Sequence, residues 1–227
     1  MEYNDKILYY IDKLSLLRED YVEAHRTIKA KYNYDYRDAR VAIFKCIITL
    51  NTAFVGFILI REELLNPLWW KEHISELDDK AITRQIEDFE RTIRSAFLST
   101  FFASIESSFR YYCRYVSPGA CNNTTGNFKN IYAHLFSKNK LNLPNYIPLL
   151  DLWRNMRNTI HNNGKFYPEN QQDCEVTYGV TYKFEVGKVP QFLTWDLLLN
   201  LIPDVKDMLF SVVNSNDLTR VTRSILE

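Results

Sequence analysis

Apolar residues recur at helical spacing from the start of the chain. Ile7, Tyr10, Ile11, Leu14, Leu17, Tyr21, Val22 and Ile28 share one face with charges between them, which predicts a long amphipathic helix over residues 3–31. After the tyrosine-rich turn KYNYDYRD comes VAIFKCIITLNTAFVGFILI, residues 41–60, in which Lys45 is the only charge. A bilayer span needs about 20 apolar residues, and a helix buried on all sides gives the same pattern. Lys45, Asn51, two threonines and the lack of a Lys/Arg bias between the flanks favour the second reading. The expectation is a buried central helix without stable membrane insertion.

The stretch NPLWWKEHISELDD reads as a short helix or turn. Thr83–Val116 then predicts a third long helix, with Ile86, Phe89, Ile93, Phe97, Phe101, Ile105 and Phe109 on one face, ended by SPGACNNTTGN. A shorter helix is expected over Phe128–Phe136, and Pro148 is placed to open the next one, residues 148–162. Beyond Gly164 the period drops to two, with Val176, Tyr178, Val180, Tyr182, Phe184 and Val186 alternating with polar residues. With Gly179 and Gly187 as turn or bulge positions, this predicts a small antiparallel hairpin or meander at about 174–192. The last helix runs from Thr194 to about Asn214, with Thr194 as its cap and Pro203 as a kink or break. The expected fold is therefore mainly α: an antiparallel helical bundle with a β-hairpin before the last helix. Residues 1–80 would add a helical layer to a domain formed by 81–227, the two making one compact unit.

Composition narrows the function classes. Lys+Arg and Asp+Glu both number 28, so no global field draws the chain to nucleic acid or to an anionic membrane. Cys46, Cys113, Cys121 and Cys174 match neither a C-x2-C zinc pair nor a small disulfide scaffold. The opening residues lack the basic and apolar regions of a signal peptide, so a cytoplasmic protein with reduced thiols is expected. Two overlapping glycosylation sequons at residues 122–125 carry little weight in that setting. His25, His73, His134 and His161 form no H-x3-H or HExxH pair, and phosphate-binding glycine loops and a nucleophile elbow are absent, so no cofactor or metal is expected.

The segment LWRNMRNTIHNNGKF, residues 152–166, carries the chemistry. At about 100° per residue, Leu149, Leu152, Trp153, Met156 and Ile160 form an apolar arc. Beside it Arg154, Arg157 and His161 fall within about 60°, with Asn158 next to them and Asn155 pointing elsewhere. Two permanent cations and one group titrating near neutrality suit a phosphate: the arginines hold its oxygens, and the histidine moves a proton. The same residues would also offset the dipole at the end of an ordinary helix stopped by Gly164.

Local charge sharpens the picture. Between Ser117 and Phe166, Lys129, Lys138, Lys140, Arg154, Arg157 and Lys165 stand against one acid, Asp151. Aromatics interleave with these cations, as in single-stranded RNA recognition, and Phe166 and Tyr167 are the ones expected to be exposed for stacking. On the third helix, Glu106 at the edge of an apolar face requires a partner. It has two choices: a salt bridge to Arg110 one turn on, or an orienting contact to Arg154 or Arg157.

These residues resemble the HEPN superfamily of helical domains. RNTIHNNG is similar to its arginine–polar–histidine signature, FASIESSFR resembles its acid-bearing core helix, and a β-hairpin before the last helix is shared with several defence-associated members. The likeness covers roughly residues 83–214. Arg154 leaves six residues between itself and His161, within the family's usual spacing, whereas Arg157 leaves only three. Both arginines are therefore carried over with His161, and Glu106, Arg110, Asn158 and Asn162 as supporting residues. The resemblance implies metal-independent cleavage of single-stranded RNA by 2′-hydroxyl attack, in a homodimer with a composite site. It implies a toxin or antiviral effector, with an antitoxin or defence-system partner. The alternatives are a non-catalytic module that binds RNA or protein and, from another class, a membrane-associated helical effector using residues 41–60.

Overall fold

Seven apolar side chains drive the first segment into the protein as α1, Tyr3–Tyr32. The fold is seen in a computed structural model that describes residues 3–35, 37–74, 76–122 and 126–225, so most of the two sequons lies outside the described residues. It is mainly α, with a small two-stranded antiparallel sheet. One continuous hydrophobic core runs from Ile7 on α1 to Ile225 near the end of the chain.

Helix α2, Ala42–Leu59, packs on α1 and meets the long α4, Asp79–Val116. It is not buried on all sides as its sequence suggested. Its neighbours cover one face only, and Phe44, Ile48, Val55 and Leu59 remain exposed on the other. Ala39–Leu64 is long and apolar enough to cross a membrane by length and composition, and half of its most apolar stretch is buried within the protein. Between α2 and α4 the open face forms an apolar groove of about 350 Å³. Gly56 permits the close approach there, since a Cβ at that position would meet Ile93 Cδ1 at 2.6 Å. Phe89 and Ile93 border this groove and are only partly buried, whereas Ile86, Phe97, Phe101, Ile105 and Phe109 enter the core as their spacing predicts.

The helix ends obey local chemistry. After α2 the chain widens into a π turn, Ile60–Leu64, in which Leu65 N–H bonds the Ile60 carbonyl at 2.9 Å. Asn66 then caps α3, Pro67–His73. Asp78 caps α4 by accepting from Ala81 N–H at 2.7 Å, so that helix begins earlier than the expected Thr83. Asn127 caps α5, Phe128–Leu135. A 3-10 turn at Pro144–Tyr146 leads into α6, Ile147–His161, with a proline in its first turn.

Strands β1, Cys174–Tyr178, and β2, Val180–Phe184, pair antiparallel with Val176 opposite Tyr182 and Tyr178 opposite Val180. The chain reverses at Gly179, whose φ of +69° lies in the left-handed region that glycine enters freely. This register puts Val176, Tyr182 and Phe184 on one face, and Glu175 with Lys183 and Thr177 with Thr181 on the other. Thr194 caps α7, Trp195–Val213, at Leu197 N–H. The helix continues through Pro203 without the expected break. Residues on both sides of the proline, Leu201, Ile202 and Val205 among them, are buried, which offsets the one missing backbone bond. A last turn, α8, spans Asn216–Thr219.

A buried ion pair ties the end of the chain to the start of α2. Arg40 and Asp38 are 1% exposed and bond at 2.6 and 2.9 Å. Arg40 also donates to the carbonyls of Leu218, Val221 and Arg223, while Asp38 accepts from Ile225 N–H at 3.0 Å. Arg40 thus turns its donors to backbone oxygens at the protein interior as well as to Asp38.

Candidate functional site

Helix α6 positions the candidate residues because its apolar arc locks its rotation. Leu149, Leu152, Trp153 and Met156 are fully buried, and Trp153 stacks on Phe101 of α4 with ring centroids 5.2 Å apart. The opposite strip of α6 then faces a cleft of about 460 Å³. Its walls are α4, the start of α5 and the segment that follows α6. The helix stops at His161 because Asn163 and Gly164 take φ values of +54° and +82°, and Gly164 N–H bonds the Thr159 carbonyl at 3.0 Å.

Four cations line this cleft: Arg110, Lys129, Arg154 and Arg157. Two carboxylates do so as well, Glu106 and Glu169. Glu106 pairs with Arg110, at 2.5 Å to Nη2 and 3.1 Å to Nε, and Arg110 donates onward to the Gly126 carbonyl at 2.9 Å. Of the two partners open to Glu106 in the sequence, the one on its own helix is the one it holds. It forms no ion pair with Arg154 or Arg157.

Asp151 organises the rest. It accepts a short hydrogen bond from the Tyr132 hydroxyl, lies 3.5 Å from Arg154 Nη2 and 3.9 Å from Lys129 Nζ. Burial, reinforced by that bond to Asp151, pushes the Tyr132 hydroxyl far above its ordinary titration range, so it stays a donor. Arg154 is thereby partly neutralised, although its Nε is buried without a partner. Arg157 is different. Its Nη1 makes a long 3.4 Å bond to Asn158 Oδ1, and among the described residues no carboxylate pairs with it. Arg157 is the cation least compensated in the cleft.

His161 lies one turn beyond Arg157 on α6 and is exposed. Partial burial, with a further push from the Arg157 charge, holds its pKa below the ordinary value of 6.5, so the neutral imidazole predominates at pH 7. His161 is not among the residues that line the cleft. Asn162 folds back on the helix end, donating to the Asn158 carbonyl at 3.0 Å.

The remaining predicted contacts divide. Lys129 belongs to the cleft, whereas Lys138, Lys140 and Lys165 do not. Tyr167 is 43% exposed, as expected, but also lies off the cleft. Phe166 corrects the expectation of an exposed stacking ring, being 1% exposed. Its N–H bonds the Lys188 carbonyl and its carbonyl accepts from Gly187 N–H, so the backbone is pinned to the segment after β2 and the ring turns inward against Phe184 at 5.1 Å. Phe166 is still one of the residues that line the cleft.

Sequence reasoning missed several participants. Asp151 entered it only as a lone acid, although its i,i+3 spacing to Arg154 was a usable signal. Tyr132 and Cys174 are brought to the site only by tertiary packing, and Asn155 corrects the expectation that it points elsewhere, because it lines the same cleft as Arg154 and Arg157. Asn155 is buried and donates to Cys174 Sγ at 3.2 Å, and burial pushes that thiol above its ordinary pKa. Among the described residues, no group of three or more His, Cys, Asp or Glu side chains is placed to hold a metal ion. No protein-family model, curated protein or solved structure matches the chain.

Proposed function

We propose that the protein is a metal-independent endoribonuclease of HEPN-like design that cuts single-stranded RNA at the Arg154–Arg157–His161 end of α6. The observation that carries this reading is Arg157, a cleft cation with no carboxylate partner, one turn from an imidazole that it helps keep neutral. Arg157, with Arg154 behind it, grips non-bridging phosphate oxygens and stabilises the extra negative charge of the pentacoordinate transition state. Neutral His161 takes the proton from the 2′-hydroxyl. The 2′-oxygen bonds to phosphorus as the bond to the 5′-oxygen breaks. The departing oxygen takes a proton, leaving a 2′,3′-cyclic phosphate and a 5′-hydroxyl. One histidine serves one of these two proton transfers, so a second copy of the chain would supply the other from its own helix end. A cytoplasmic toxin or antiviral effector is the setting in which such an activity is expected.

A second reading has its own support. His161 does not line the cleft that holds Arg154 and Arg157, which suits a module that binds RNA without cutting. The two are separated by incubating labelled single-stranded RNA with the protein in chelator and analysing the ends. Wild type should yield 2′,3′-cyclic phosphates, and His161→Ala should cut about 100-fold more slowly or less while still binding. Binding without any cleavage, in monomer and dimer alike, would select the non-catalytic module.

A further inference from the structure

The run Arg154-Asn155-Met156-Arg157-Asn158 repeats an Arg-Asn pair one helical turn apart, and all four polar side chains line the cleft. Asn155 is set apart from the other cleft amides by its depth, being 4% exposed. Its Nδ2 donates to the Cys174 sulfur, a weak acceptor, and its Oδ1 accepts nothing from the protein. Asn155 is one of the residues that line the cleft, and this oxygen is left there without a protein donor. An amide oxygen at a cleft wall with no protein donor takes its hydrogen bond from water or from a bound ligand that displaces it.

We infer that the inner end of the cleft is a base-reading subsite, where the Asn155 amide oxygen accepts a hydrogen bond from the exocyclic amine of adenine or cytosine. This rests on the RNA reading above and adds the base class to it. Phosphate contacts from Arg154 and Arg157 fix the strand, and an adjacent amide on the same helix then meets a base edge. Adenine N6 and cytosine N4 present donors where uracil presents a carbonyl. Phe102, Phe128 and Phe166 line the same cleft, so the bond forms among apolar neighbours, where an unmatched carbonyl facing Oδ1 costs more.

The test uses fluorescence anisotropy with labelled oligoadenylate, oligocytidylate and oligouridylate of equal length, on His161→Ala protein in chelator so that no strand is cut. The adenylate and cytidylate strands should bind about fivefold or more tightly than uridylate. Asn155→Leu, of similar volume, should bring the three to within about twofold by removing the acceptor. Equal affinities before that substitution would overturn the base subsite and leave RNA binding standing. No affinity for any of the three would overturn both. If Asn155→Leu does not fold, the comparison in the presence of Asn155 decides the matter alone.

Discussion

Arg154 Nη2 lies 3.5 Å from the Asp151 carboxylate, whereas Arg157, one turn further along the same helix, meets no carboxylate at all among the described residues. The two arginines, equivalent on a helical wheel, are therefore unequal in the folded protein. Arg157→Ala should weaken binding to single-stranded RNA by about 10- to 100-fold with little change in stability. Arg154→Ala should have the smaller effect on binding and a larger one on the fold, because Asp151 loses a neighbour on a partly buried face. Anisotropy and urea melts on the two variants give the comparison. A stronger binding defect at Arg154 would reverse this ranking.

Glu106 offsets the charge of Arg110 through two hydrogen bonds, so on the proposed reading it restrains RNA binding in the cleft. Glu106→Ala should release that cation and tighten RNA binding by about two- to fivefold at low salt, with a steeper salt dependence. A charge-swapped pair, Glu106→Arg with Arg110→Glu, should come back toward wild-type affinity. A swap of Glu106 with Arg157 should not. Rescue by the second swap in place of the first would mean that Glu106 serves α6.

Much of the fold was legible because one periodicity dominates each element. The buried faces of α1 and α6 and the single face shared by Val176, Tyr182 and Phe184 follow directly from spacing. Thr194 was recognisable as a cap because its side chain acts within three residues of its own position. What stayed hidden depends on distant partners. Phe166 follows a helix stop and looks like a loop aromatic, but hydrogen bonds to residues 187 and 188 turn it inward. Asp151 looks isolated in a basic segment because Tyr132 and Lys129 reach it only through the packing of α5 on α6. The open face of α2 was unreadable for a related reason: an apolar helix does not encode how many neighbours will cover it.

His161 should titrate below the ordinary histidine range, because burial and the Arg157 charge both disfavour its protonated form. A base active only when neutral loses activity as pH falls through its pKa. The acidic limb of kcat/KM should therefore lie below pH 6.5, the ordinary histidine value. Arg157→Ala should move the His161 midpoint upward in an NMR titration. An unmoved midpoint would mean that Arg157 does not act on the imidazole.

The Asp38–Arg40 pair is predicted to matter for stability and not for RNA. Arg40→Ala removes the counter-charge from a buried carboxylate and the guanidinium bonds to the carbonyls of Leu218, Val221 and Arg223, and should cost about 3–5 kcal/mol. The urea midpoint should fall accordingly. Where the variant remains folded, RNA affinity should be unchanged.

The most direct test of the central claim is the salt dependence of single-stranded RNA affinity, measured side by side on wild type and Arg157→Ala. If this cation holds a phosphate, the log–log slope should become shallower by about 0.7, one counterion fewer on a single strand, while affinity drops. Unchanged slope and affinity in the variant would mean that the cleft of α6 does not grip RNA.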